Sequence, residues 1–265
     1  VKGVFLLNHN RRVIIDAGHG GSVDPGAVYE GRQEKNDNLR LALAVGKILS
    51  DQGVDVVYTR VNDIYQTPYE KAQIANRSGA DYFLSIHRNA VEVPGSASGI
   101  LSLVYEDKDV PALMAREINQ NLAALGFKDL GVSERPEIIV LRKTKMPAVL
   151  VEAGFLDNEA DNQFFDANFG KIAQAIADGV LSAIEAEERA PEYYQIQVGA
   201  FRDRAYADAL NRQLQSQGFP SFLIADNGLY KVRVGAYLDL DNAARMEQTL
   251  RRYGYSTYMV KEAAR

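Results

Sequence analysis

The sequence predicts an α/β protein, a mostly parallel sheet flanked by helices, followed by a small α+β domain of ferredoxin-like type. Three observations carry this. Apolar strand-like runs alternate with helical periodicities from residue 12 to about residue 184. A polar stretch rich in Glu and Ala then breaks the pattern, and the rest of the chain repeats itself without gaps at a period of 36 residues.

In chain order, Val13-Ile14-Ile15 is a buried-strand signal that stops at Asp16, and a glycine-rich loop follows. A helix is expected over 34–52, where Leu41, Val45, Ile48 and Leu49 share one face and Gly53 can end it. A strand at 54–58, a helix at 68–78, strands at 82–86 and 100–105 and a helix at 111–125 come next. The short apolar runs 138–141 and 148–151 both read as interior strands. A last helix, with Ile172, Ile176, Val180 and Ile184 on one stripe, closes the first domain. The expected boundaries are a domain over 1–186, a linker over 187–192 and a second domain over 193–265.

In the repeat, Ile196-Gln197-Val198-Gly199-Ala200-Phe201 matches Val232-Arg233-Val234-Gly235-Ala236-Tyr237, and Leu214 matches Leu250. Each copy reads strand, helix, strand. So short a unit cannot bury its own apolar face, so two copies must share one sheet covered by two helices.

Composition narrows the function. Among 265 residues, 30 Lys and Arg against 35 Asp and Glu leave a net charge of -5, which argues against nucleic acid as the partner. The absence of cysteine excludes disulfides, thiolate metal sites and Cys nucleophiles. No run approaches the roughly 20 apolar residues of a membrane span. The opening ten residues lack a signal-peptide cleavage pattern, and His9 within them is read as incidental.

The other two histidines end predicted strands: His19 in Asp16-Ala17-Gly18-His19-Gly20-Gly21, and His87 in Ser85-Ile86-His87-Arg88-Asn89. In parallel α/β sheets that edge is where sites are built. Glu34 opens a helix and Glu152 ends an apolar run, so four ionisable groups converge on one rim. Two imidazoles and a carboxylate with an open fourth position form the ligand set of catalytic zinc, and the remaining carboxylate would be the general base. Simpler readings stand beside this one. A phosphate-cradling loop at His19 lacks the P-loop Lys and the G-x-G-x-x-G spacing. Glu34 can serve the helix dipole. Glu152 is hardest to dismiss, because a carboxylate ending a buried strand is expensive unless paired or metal-associated. No G-x-S-x-G elbow supports a serine hydrolase.

At these residues the chain resembles the zinc-dependent N-acetylmuramoyl-L-alanine amidases of bacterial cell-wall autolysins. The resemblance spans residues 13–184 and is carried by Ile14 to Gly21, Glu34-Lys35, Ile74-Ala75-Asn76, Leu84 to Asn89 and Pro147 to Leu156. It implies that His19, Glu34 and His87 hold Zn2+ and that Glu152 is the catalytic carboxylate. It also implies the substrate, the amide between N-acetylmuramic acid and L-alanine of the stem peptide in peptidoglycan. Lys71 departs from the family's usual Arg, and Asp157 from its usual Ser. No long insertion of the kind that carries an inhibitory helix lies between Ile100 and Gly131, so an open site is expected.

Residues 193–261 resemble the SPOR module, which in its family binds glycan strands stripped of stem peptides. Strand alternation turns Gln195, Gln197, Lys231 and Arg233 to the open sheet face, where Gln197, Lys231 and Arg233 are the candidate glycan contacts. A plain solvated face is the simpler alternative. The expected protein is a monomeric hydrolase acting at the cell wall, outside the cell or released from a mother cell at sporulation. Its rivals are an inactive peptidoglycan-binding protein and a zinc peptidase cutting within the stem peptide.

Overall fold

The computed structural model describes residues 11–189 and 192–263; the opening segment with His9, and residues 190–191, lie outside the described residues. The chain divides into two compact units, Val1–Ala186 and Glu187–Arg265.

The first unit runs β1 (Arg12–Ala17), β2 (Val28–Tyr29), β3 (Arg32–Gln33), α1 (Glu34–Asp51), β4 (Asp55–Tyr58), α2 (Pro68–Arg77), β5 (Tyr82–Asn89), β6 (Ile100–Val104), α3 (Asp109–Leu125), β7 (Asp129–Glu134), α4 (Ile139–Lys143), β8 (Ala148–Phe155) and α5 (Glu159–Arg189). Its six-stranded sheet has the order β4-β1-β5-β8-β6-β7. Pairing is parallel except between β6 and β8.

Alternation along the strands sorts side chains to two faces. Val13, Ile15, Ala17, Leu84, Ile86, Val149 and Val151 pack with apolar residues of α1, α3 and α5. Ile14, Phe83 and Leu150 pack with Ala75 of α2 and with Val140 and Leu141 of α4. That second cover is thinner. Asp16, His87 and Glu152 continue the same alternation past Ile14, Phe83 and Leu150, so they emerge beside α2 and α4.

Three sequence expectations change. Residues 138–141, read as an interior strand, enter the short helix α4; Val140 and Leu141 are buried there just as a strand would bury them, which is why an apolar run this short cannot tell the two apart. The edge strand β7 pairs only with β6 and is largely solvent-facing, so it carries no apolar run to detect. The last helix does not stop at the polar stretch, because Glu and Ala are good helix formers and carry α5 to Arg189.

The second unit comprises β9 (Glu192–Phe201), α6 (Arg204–Ser216), β10 (Ser221–Asp226), β11 (Leu229–Tyr237), α7 (Leu240–Arg252) and β12 (Tyr258–Ala263). Its antiparallel sheet has the order β10-β11-β9-β12. The repeat is exact in its structural roles. Asp203 and Asp239 each cap a helix N-terminus through the side chain, and Ala207, Leu214, Ala243 and Leu250 fill one core with Ile196, Val232 and Val234.

Candidate active site

The loop after β1 and the start of α1 bring His19 and Glu34 together. His19 holds a left-handed φ of 60° and its Nε2 lies 3.1 Å from Glu34 Oε2. His87, at the end of β5, places Nδ1 2.9 Å from Glu34 Oε1. One ligand atom from each of the three residues falls within 4.8 Å of the others, a possible metal site. Two glycines make room for it. A Cβ on Gly18 would meet the His87 ring at 2.3 Å, and one on Gly26 would meet Glu34 Oε2 at 2.5 Å and His19 Cδ2 at 2.6 Å.

Glu34 is buried, and its carboxylate also accepts from Ala27 N at 2.9 Å, Asn38 Nδ2 at 3.0 Å and Arg88 N at 3.1 Å. Burial pushes its pKa up, but the two histidines outweigh that and hold it well below the usual carboxylate range. Burial likewise opposes charge on His19, yet Glu34 and Asp24 push its pKa up to about 9. A cation binding there must displace that proton. Asp24 Oδ1 lies 2.7 Å from His19 Nδ1, so Asp24 orients the ring and leaves Nε2 for a cation. The sequence reading missed Asp24; its only trace is a carboxylate five residues after His19.

Glu152 stands beside His87 in the β5–β8 register. Its Oε2 is buried and has no hydrogen-bond partner among the described residues. Burial is the main reason its pKa rises to about 7, with Glu34 adding to the rise and His87 opposing it. A buried carboxyl oxygen left unpaired among two histidines and a carboxylate is costly in isolation, and it fits a place that a polar reactant and a cation complete. The donor set suits a borderline divalent metal.

His19, His87 and Glu152 line a cleft of about 340 Å³, together with Asp16, Asp24, Gln66 and Lys71; Pro68, Ile138, Ile139, Val140 and Leu150 supply apolar lining. Behind it, Arg88 is fully buried and bonds Asp37 at 2.8 Å, Asn162 at 2.8 Å and the carbonyls of Gly154 and Phe155 at 3.3 Å, over the Phe165 ring. It thereby ties the strand of His87 to α1, to α5 and to the end of the strand that carries Glu152.

On the second unit, Gln197 and Arg233 are cross-strand partners on the face away from Ile196 and Val232. Arg233 is not open to solvent as expected. It is 1% exposed and reaches across β9, donating to both carboxylate oxygens of Glu262 at 2.6 Å and to Gln195 Oε1 at 2.8 Å. A long side chain lying flat along a sheet buries its stem and pairs its head. Lys231 donates to Asp226 at 2.5 Å and is half-buried.

Comparison with known proteins gives this geometry its context. The chain is 37% identical over 219 residues, 80% of its length and 84% of the relative's, to the N-acetylmuramoyl-L-alanine amidase CwlM of Bacillus licheniformis. It is 35% identical over 220 residues, again 80% and 84%, to a sporulation-specific N-acetylmuramoyl-L-alanine amidase of Bacillus subtilis. The crystal structure of an N-acetylmuramoyl-L-alanine amidase from Clostridium difficile 630 superposes with a TM-score of 0.63 at 33% identity, covering 67% of this chain and 98% of that one. Residues 190–261 match the SPOR domain, a peptidoglycan-binding module. With residues 13–182 matching the N-acetylmuramoyl-L-alanine amidase family, the chain belongs to the N-acetylmuramoyl-L-alanine amidases, metal-dependent hydrolases of peptidoglycan.

Proposed function

We propose that the chain is a zinc amidase in which His19, Glu34 and His87 hold the metal and Glu152 moves the proton. The single observation that carries this is the buried, unpaired Oε2 of Glu152 on the strand next to His87. Zinc bound by the three ligands would supply Lewis-acid chemistry, lowering the pKa of water and polarising the scissile carbonyl. Asp24 fixes the His19 tautomer, and Arg88 N steadies Glu34. Glu152 takes the proton of the attacking water and returns it to the departing amine of L-alanine. A carboxyl with its pKa near 7 is suited to both halves of that task.

The domain reading supports the same polymer: residues 1–186 cut, and residues 193–265 hold glycan, with 187–192 joining them. Gln197 and Lys231 are the sheet-face groups best placed to meet sugar hydroxyls, and Arg233 shapes that face from within. The site of action is the cell wall, and the working state is a monomer.

The test is mass spectrometry of soluble products from purified peptidoglycan, with the protein metal-stripped and then zinc-restored. Stem peptides beginning with a free L-alanine amine, formed only with zinc, are expected. Glu152→Gln should keep zinc and lose at least about 100-fold in turnover. Cuts between amino acids would move the assignment to a peptidase, and full turnover by Glu152→Gln would sink the role given to Glu152.

A further inference from the structure

Arg60 lies just past β4, is 3% exposed, and is absent from the cleft lining. Its Nε donates to Ala17 O at 3.0 Å, its Nη2 to Gly18 O at 3.0 Å and to Lys35 O at 2.9 Å, and its Nη1 to Asn62 O at 3.1 Å. Every one of these acceptors is a backbone carbonyl. Asp16, Asp63 and Asp24 balance the charge only at longer range, and burial holds the guanidinium below its ordinary pKa. A buried guanidinium used this way costs stability that a surface residue at the same place would not.

The acceptors say what that cost obtains. Two belong to the residues immediately before His19, and a third to the residue immediately after Glu34. His19 itself sits at φ 60°, a left-handed conformation that a residue with a Cβ adopts only where its surroundings impose it. Lys71 Nζ holds Ala17 O at 2.6 Å and Lys35 Nζ holds Gly21 O at 2.9 Å, so the carbonyls on both sides of His19 are anchored to buried cations. Lys35, itself in α1, ties that helix to the far side of the loop, while Arg60, from outside both, holds a carbonyl just before His19 and one just after Glu34 with the same Nη2.

We propose that Arg60 is the positioning residue that sets the separation of His19 from Glu34, and through it the affinity of the site for its divalent cation. This rests on the metal reading given above. Arg60 touches neither cation nor substrate; it acts through the backbone just before one ligand and just after another. Lysine in its place keeps the charge but lacks the fork that holds three carbonyls from two elements at once.

The experiment measures the zinc dissociation constant of the full chain by competition with a chromophoric chelator, for the wild type, Arg60→Lys and Arg60→Gln. Each substitution is also made in a His19→Ala background, and each metal-free protein's thermal midpoint is recorded. The expected result is a 10- to 100-fold loss of zinc affinity in the His19 background, typical of losing an outer-shell support. With His19 absent, the same substitution should change affinity by less than about twofold, because the interaction it acts through is gone. Unchanged affinity in Arg60→Lys overturns the proposal, as does an equal loss in both backgrounds, which would mean a general loosening. If Arg60→Gln does not fold, the lysine pair alone decides. A wild-type chain that binds no zinc would instead remove the metal reading itself, an outcome distinct from wild-type binding that Arg60 does not influence.

Discussion

Lys71 Nζ lies 2.6 Å from Asp16 Oδ1, with both side chains buried at the floor of the cleft. Asp16 also accepts from Thr59 Oγ1 at 2.6 Å and from Ser85 Oγ at 2.8 Å, so one carboxylate near the end of β1 joins the residue just past β4 and the middle of β5 to α2. Removing one member strands a buried charge, and Lys71→Met should cost about 3–5 kcal/mol, read from the urea midpoint at pH 7. Burial raises the Asp16 pKa, but Lys71 outweighs it and the net shift is downward. A carboxyl whose pKa is lower folded than unfolded adds stability that is complete above the unfolded value of about 3.9 and is lost as pH falls through the folded value. Stability of the wild type should therefore decline below about pH 4, and Asp16→Asn should flatten that decline while lowering the midpoint at pH 7. A variant that keeps the wild-type acid slope would show that Asp16 titrates alike in both states. Gly18→Ala makes a sharper steric test. Its Cβ would meet the His87 ring at 2.3 Å, so the ring must move, and zinc affinity should fall at least about tenfold with a stability cost of about 1–3 kcal/mol.

At the scale of elements, α2 shows how local chemistry serves the site. Thr67 accepts from Glu70 N at 3.2 Å while the Glu70 carboxylate accepts from Thr67 N at 2.8 Å, a reciprocal cap with Pro68 at the first helical position. Thr67→Ala should cost about 1 kcal/mol and raise amide exchange first in the turn that presents Pro68 and Lys71 to the cleft. Unchanged exchange there would mean that the ion pair, rather than the cap, holds the helix end. This helix was readable in the sequence because its start signals and its periodicity agree. So were β5 and β8, whose apolar runs lead directly into His87 and Glu152. The run at 138–141 was not, because burial alone drives it and a strand and a turn of helix bury Val140 and Leu141 equally well. That His19, Glu34, His87 and Glu152 meet on one rim was legible from ionisable groups at strand ends and a helix start, while the roles proposed for them come from the family resemblance. Asp24, Arg60 and Arg88 were not, because their work is done through contacts with backbone or with residues far along the chain, and no spacing in the sequence marks such contacts.

At the scale of the molecule, each unit has its own apolar core, so each should fold and act alone. What joining them changes is concentration. Peptidoglycan is insoluble, and a chain held on it by one unit presents the other to many bonds at an effective concentration set by the tether. A chain ending at Arg189 should therefore cleave a small soluble muropeptide within about twofold of the full rate, yet lose tenfold or more on whole peptidoglycan. The 192–265 fragment, which carries 10 basic against 8 acidic side chains, should compete with the full chain on whole peptidoglycan and leave soluble turnover untouched. Release of free L-alanine amines, followed with both substrates, separates the two effects. Equal loss on both substrates would place the second unit inside the catalytic step instead, since a tether has nothing to add once the substrate diffuses freely.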